Sequence, residues 1–171
     1  MELHERKELR LTGYDYDSPG GYFITVCTKD QHHTLWEPQR LSEMRVGADI
    51  IRPQSVKLSQ YGMIVDEAIR DIPIHYANVA VDHYVIMPNH IHLILRINGG
   101  SGRMVSAPTK SLSTIVGQMK RAASKAAGVP LWQKSYHDHI IRNHADYLRV
   151  WEYIDTNPAK WREDRYYKEG L

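Results

Sequence analysis

The chain has 171 residues, 42% of them hydrophobic and 25% charged, with a formal net charge of +2. That length suits one domain with a sizeable core, the balance excludes global disorder, and the weak positive charge permits local phosphate-binding patches without demanding them. Cys27 is the single cysteine, which rules out an internal disulfide. With no apolar stretch in MELHERKELR and no run of about 18 apolar residues, a reducing cytoplasmic setting is expected.

Residues 1–19 read as a polar N-terminal arm ending in Ser18-Pro19-Gly20-Gly21, and residues 20–171 as a single domain. Tyr22 to Thr28 (YFITVCT) is aromatic and β-branched, the composition of a strand. Residues 35–57 read as irregular, with short strand pieces around Met44–Val46 and Val56. Leu58, Tyr61, Ile64, Val65, Ala68 and Ile69 then recur at helical spacing, with Pro73 as the stop. Asn78–Met87 and Ile91–Ile97 are strand-like runs joined by Pro88-Asn89, which predicts a hairpin. Gly99 to Thr109 reads as a loop.

A second helix is marked by Leu112, Ile115, Val116, Met119, Ala122, Ala123 and Ala126. Thr109 or Ser111 caps it, and Gly128 and Pro130 stop it. A third starts near Asn143, with Asp146 three residues on, and ends close to Asn157 because Pro158 follows. The tail from Lys160 is charged and aromatic. Helices and strands intermix with antiparallel connections, so the expected class is α+β, one antiparallel sheet backed by helices.

Two residues apart on a strand, His90 and His92 project to the same side while Ile91 faces the opposite layer. Imidazoles so placed can share one metal ion. Ten histidines also make such a triplet a possible polar strand face. The rival triplet His137-Asp138-His139 adds a carboxylate but lies where no common face can be assigned. On the last helix Tyr153 and Asn157, four apart, share one face beside a stripe of Tyr147, Val150, Trp151 and Ile154. With eleven tyrosines in the chain, spacing alone does not single out Tyr153.

The series Met87-Pro88-Asn89-His90-Ile91-His92-Leu93, Leu131-Trp132-Gln133, Tyr136 through Asn143, Tyr153-Ile154 and Asn157-Pro158 resembles the single-tyrosine HUH transposases, most of all their REP-associated branch. The likeness runs from about Tyr22 to Trp161. It implies a ferredoxin-like or RRM-like fold with the histidine pair on a central strand and the tyrosine on a C-terminal helix. It further implies His90, His92 and Asn157 as ligands of Mg²⁺ or Mn²⁺, and Tyr153 as the nucleophile that nicks single-stranded or hairpin DNA through a 5′-phosphotyrosine link. Relatives occur as monomers and as dimers, some exchanging the tyrosine helix, so a homodimer and a tyrosine supplied in trans both stay open.

DNA contacts are expected from Lys120, Arg121 and Lys125 on the polar side of the second helix, from Arg142, and from His139 near the site. Trp132 and Tyr136 offer stacking surfaces, although core packing suits Trp132 better. Two other readings remain. One is a nucleic-acid-binding module without chemistry; the other is a zinc hydrolase, for which the usual HExxH pattern is missing.

Overall fold

The computed structural model describes residues 18–37, 57–99 and 110–168. The N-terminal arm, the strand pieces expected near Met44 and Val56, and the loop expected from 100 to 109 lie outside the described residues. Four strands, β1 (Gly20–Cys27), β2 (Val79–Ile86), β3 (His90–Ile97) and β4 (His137–Ile141), form one sheet in the order β2-β3-β1-β4. Every neighbouring pair is antiparallel. With helices α1 (Gln60–Arg70) and α3 (Leu112–Ala127) as the two crossovers, this is the ferredoxin-like arrangement. A four-residue helix, α2 (Ile72–His75), follows α1, and α4 (His144–Thr156) follows β4.

Alternation along β1 and β3 sorts the sheet into two faces. Tyr22, Ile24, Val26, Ile91, Leu93, Leu95 and Ile97 pack with Val65, Ile69, Ile115 and Val116 in the main core beneath α1 and α3. The intervening residues meet α4, where Ile94, Val150 and Ile154 form a smaller core flanked by Phe23, Val85 and Trp151. The sheet is therefore covered on both faces, and β3 is buried at every position except Arg96.

Local chemistry sets the helix limits. Ser59 caps α1 by accepting from Gly62 N, and Ser111 caps α3 by accepting from Thr114 N. Gly128 ends α3 in the left-handed conformation at φ 69°, which a residue without Cβ adopts freely. Gly62 answers a different need. A Cβ there would lie 2.1 Å from the carbonyl oxygen of Leu35, so α1 approaches that loop only through a glycine. Asn143 caps α4 by accepting from Asp146 N at 2.9 Å.

One expectation needs correcting, and two points left open by the sequence take a definite form. Pro73 does not stop the first helix; α1 ends at Arg70 and the proline sits in the first turn of α2, where its missing N–H costs nothing. His137–Ile141, left unassigned by its polar pattern, is edge strand β4. Asn157 keeps a helical conformation (φ −57°, ψ −45°) despite the following proline, because its N–H closes the last turn on Tyr153 O at 3.1 Å.

Candidate active site

The connection between β2 and β3 is pinned before any functional group is considered. Thr28 donates from both its amide (2.9 Å) and its hydroxyl (3.0 Å) to Asn89 O, and Leu35 N donates to Pro88 O. His90 and His92 leave this fixed point on the α4 face of β3, opposite Cys27 and Thr25 of β1. Both side chains are buried, with relative exposures of 0% and 1%. Their Nε2 atoms converge to 3.0 Å.

The hydrogen bonds behind the rings decide which nitrogens face each other. Asn89 Nδ2 points at two carbonyls, Tyr166 O (2.8 Å) and Gln31 O (3.3 Å), which fixes its amide orientation. Its Oδ1 is therefore the atom 2.9 Å from His90 Nδ1 and can only accept. His90 thus carries its proton on Nδ1 and turns the Nε2 lone pair toward His92. His92 Nδ1 meets the Thr25 hydroxyl at 2.8 Å. A hydroxyl donates or accepts, so this partner tolerates either tautomer of His92. Burial pushes both imidazoles toward the neutral form, His90 to about 4 and His92 well below its ordinary value, so both keep a lone pair at neutral pH.

α4 brings the hydroxyl group in. With Val150 and Ile154 seated on Ile94, Tyr153 lies beside the sheet with its ring edge-on to Phe23 (5.9 Å) and His92 (5.1 Å). Its oxygen is 3.4 Å from His92 Nε2 in the same chain. Tyr153 therefore reaches the histidine pair without a second subunit. Its pKa is pushed up to about 12, chiefly by burial and next by the Asp164 carboxylate.

Asp164 is a site residue that the sequence did not flag. After α4 the chain makes a 3-10 stretch, Pro158–Glu163, and folds back so that Trp161 and Tyr166 pack on His90 at 5.9 and 4.7 Å. Between those rings the Asp164 side chain is 2% exposed, with Oδ2 4.0 Å from His90 Nε2. That oxygen accepts from Tyr153 OH (3.3 Å) and Asn157 Nδ2 (2.9 Å), while Oδ1 accepts from Tyr166 N (2.7 Å). No motif spacing marks Asp164; its neighbours in sequence are ordinary tail residues.

These contacts also orient Asn157. With Nδ2 committed to Asp164, Oδ1 is left buried with no hydrogen-bond partner. Two neutral imidazole nitrogens and a buried carboxylate, all within 4.8 Å of one another, make a donor set that fits a divalent cation, and the Asn157 amide with its orphaned oxygen adjoins that carboxylate.

An uncharacterised protein of Haemophilus influenzae is 32% identical over 183 aligned positions, spanning 96% of this chain and 94% of that one. The REP-associated tyrosine transposase of Escherichia coli is 27% identical over 113 positions, spanning 64% of this chain and 61% of its own. Among solved structures, a REP-associated tyrosine transposase bound to a REP hairpin shares the fold at a TM-score of 0.57. It is 22% identical and covers 88% of this chain and 74% of that one. No family model matches. The chain thus resembles a REP-associated tyrosine transposase over part of its sequence and shares the fold of one.

Of the residues expected from the sequence, Tyr153, His90, His92 and Asn157 come together in this chain, and the tail adds Asp164. The other expected residues do not join them. Lys120 spends its ammonium on the carbonyls of Gln133, Lys134 and Ser135, tying α3 to the segment before β4. Arg121 and Lys125 are exposed on α3, which covers the opposite face of the sheet from α4. His139 bonds Asp146 in the first turn of α4 at 2.8 Å. Along β4, Asp138 faces away from His137 and His139, so that triplet does not converge. Trp132 is buried in the main core with Tyr136 packed against it. No helix among the described residues is long and apolar enough to cross a membrane.

Proposed function

We propose that this chain is a metal-dependent enzyme that nicks and rejoins single-stranded or hairpin DNA, with Tyr153 as the nucleophile. The observation that carries this reading is the Tyr153 hydroxyl 3.4 Å from His92 Nε2, where the ring nitrogens of two buried neutral imidazoles converge. Desolvated imidazoles beside a hydroxyl group are the kind of perturbed cluster that marks functional sites.

His90, His92 and Asn157 would hold the ion, Mg²⁺ or Mn²⁺, and the Asp164 carboxylate balances its charge. When bound, such an ion supplies charge neutralisation and orientation at a non-bridging phosphate oxygen. Tyr153 directs its proton to Asp164 Oδ2, which leaves an oxygen lone pair free to face the phosphorus. As the tyrosine O–P bond forms, Asp164 takes that proton and the bond from phosphorus to the 3′-oxygen breaks. The electron pair leaves with the 3′-oxygen, which takes a proton from solvent water to become the free hydroxyl. The 5′-phosphotyrosine link conserves the energy of the broken bond, so a 3′-hydroxyl reverses the step and joins DNA.

The test is to incubate the protein with Mn²⁺ and a hairpin carrying single-stranded flanks, then resolve covalent adducts under denaturing conditions. One adduct is expected, lost in Tyr153→Phe. In His90→Ala/His92→Ala cleavage should vanish while hairpin binding remains. An adduct that persists in Tyr153→Phe overturns the assignment. Hairpin binding with no cleavage under any divalent metal favours a binding module instead.

A further inference from the structure

At the opposite end of the α4 face from His90, an open groove of about 670 Å³ lies between β4, the end of β3 and the first turns of α4. Two of its walls are aromatic. Tyr147 and Trp151 stand one helical turn apart with ring centroids 5.7 Å from each other. Trp151 is held rigid by stacking on His83 at 4.1 Å and 7°, and His83 is held in turn by Asp155 at 2.7 Å. The groove's two guanidinium groups differ in availability. Arg96 is locked to Asp82 through both carboxylate oxygens (3.0 and 2.9 Å), and its charge is spent there.

Arg142 is exposed, and its side chain has no partner among the described residues. The nearest acidic side chain on its own side of α4, Asp146, is already occupied by His139 (2.8 Å) and Arg149 (2.5 Å). A free guanidinium beside two pre-set aromatic rings is the recognition chemistry of a nucleotide, with phosphate on the arginine and base on the rings. Neither a purely apolar ligand nor a bare anion would use both features.

Position selects the source of that nucleotide. The groove and Tyr153 share one helix and one sheet face. Along α4 at ~1.5 Å per residue, Tyr147 lies about 9 Å from Tyr153, and Asn143, next to Arg142, lies about 15 Å from it. About three stacked nucleotides bridge the first distance and about four or five the second, at ~3.4 Å each. We propose that this groove is a second DNA subsite, which holds the single-stranded segment about three to five nucleotides from the phosphate presented to Tyr153. This rests on the nicking reading above and adds where the strand runs.

The experiment uses the full chain carrying Tyr153→Phe, so that binding is measured without turnover. Fluorescence anisotropy compares hairpins with two-nucleotide and eight-nucleotide flanks, and 5-iododeoxyuridine is placed at each flank position for photocrosslinking. The longer flank should bind about tenfold tighter, a gain of the size that stacking and one phosphate contact supply. Arg142→Glu should erase that gain, bringing the ratio of long-flank to short-flank affinity to about one. Crosslinks should map to Tyr147 or Trp151 from about the second to fourth positions. A flank gain that survives Arg142→Glu, or crosslinks confined to other elements, overturns the groove and leaves the nicking proposal standing. Failure of the parent to bind any hairpin overturns both. Because Arg142 is exposed, its variant should fold, which circular dichroism and an unchanged melting temperature verify.

Discussion

Asn89 makes three contacts that together decide which nitrogen of His90 is free. Its amide donates to the carbonyls of Tyr166 and Gln31 and accepts from His90 Nδ1. Removing it should loosen the ligand it orients and also the tail that it ties down. Asn89→Ala is expected to weaken Mn²⁺ binding by about 10–100-fold, the usual cost of losing a partner behind a ligating histidine. Isothermal titration reads this directly, and an unchanged affinity would show that His90 needs no such support. Asp164 allows a cleaner separation of roles. Asp164→Asn keeps an acceptor for Tyr153 but removes the proton sink, so single-turnover nicking at neutral pH should fall about 10²–10³-fold. Hairpin affinity should stay the same; equal nicking rates would rule out a part for this carboxylate in the chemistry. At Cys27 burial pushes the thiol up to about 11. The neutral thiol therefore persists in the folded protein through pH 8, where an unfolded chain already holds a sizeable thiolate fraction. Native protein should label with iodoacetamide at least about 100-fold more slowly than urea-unfolded protein at that pH.

The elements that the sequence made legible are those whose ends carry their own chemistry. Ser111 and Gly128 bound α3, and Asn143 with Asp146 starts α4, because capping is a local transaction between neighbours in sequence. The histidine pair was legible for a similar reason, since two-residue alternation on a strand puts both rings on one face. Strand β4 was hidden by its polar HDHII pattern, which reflects an edge whose outer side meets solvent and whose partner is β1, more than a hundred residues away. Asp164, Trp161 and Tyr166 were hidden more deeply. Their place in the site depends on a reversal of the chain after Asn157, and no periodicity encodes it. Tests at this scale address the helices. Asn143→Ala should cost about 1 kcal/mol through the lost cap. Gly62→Ala should cost about 3 kcal/mol, the upper end for overpacking, because its methyl group meets backbone that cannot yield. Thermal melts would then drop by about 3 °C and about 9 °C respectively.

In the whole molecule, the polypeptide closes on itself at one corner. The segment after β1, the β2–β3 connection and the C-terminal tail meet through Thr28, Asn89 and Tyr166, and Gln133 N reaches Cys27 O beside them. Parts of the chain distant in sequence thus hold the site, and the site in turn should hold them. An ion bound at about a hundred times its dissociation constant stabilises the fold by about 2.7 kcal/mol. Mn²⁺ should therefore raise the melting temperature by several degrees and slow tryptic cleavage after Arg162 and Arg165 in the tail. EDTA should reverse both effects, and His90→Ala/His92→Ala should show neither. Protection of the tail in that variant would mean that the ion acts elsewhere.

The 3.4 Å approach of Tyr153 to His92 within one chain has a consequence for counting. On the nicking proposal each polypeptide would carry its own reacting groups, so the yield of covalent adduct should saturate at one per chain and should not rise with protein concentration. Mixing Tyr153→Phe with His90→Ala/His92→Ala should then give no recovery, since two half-sites on separate chains have nothing to exchange.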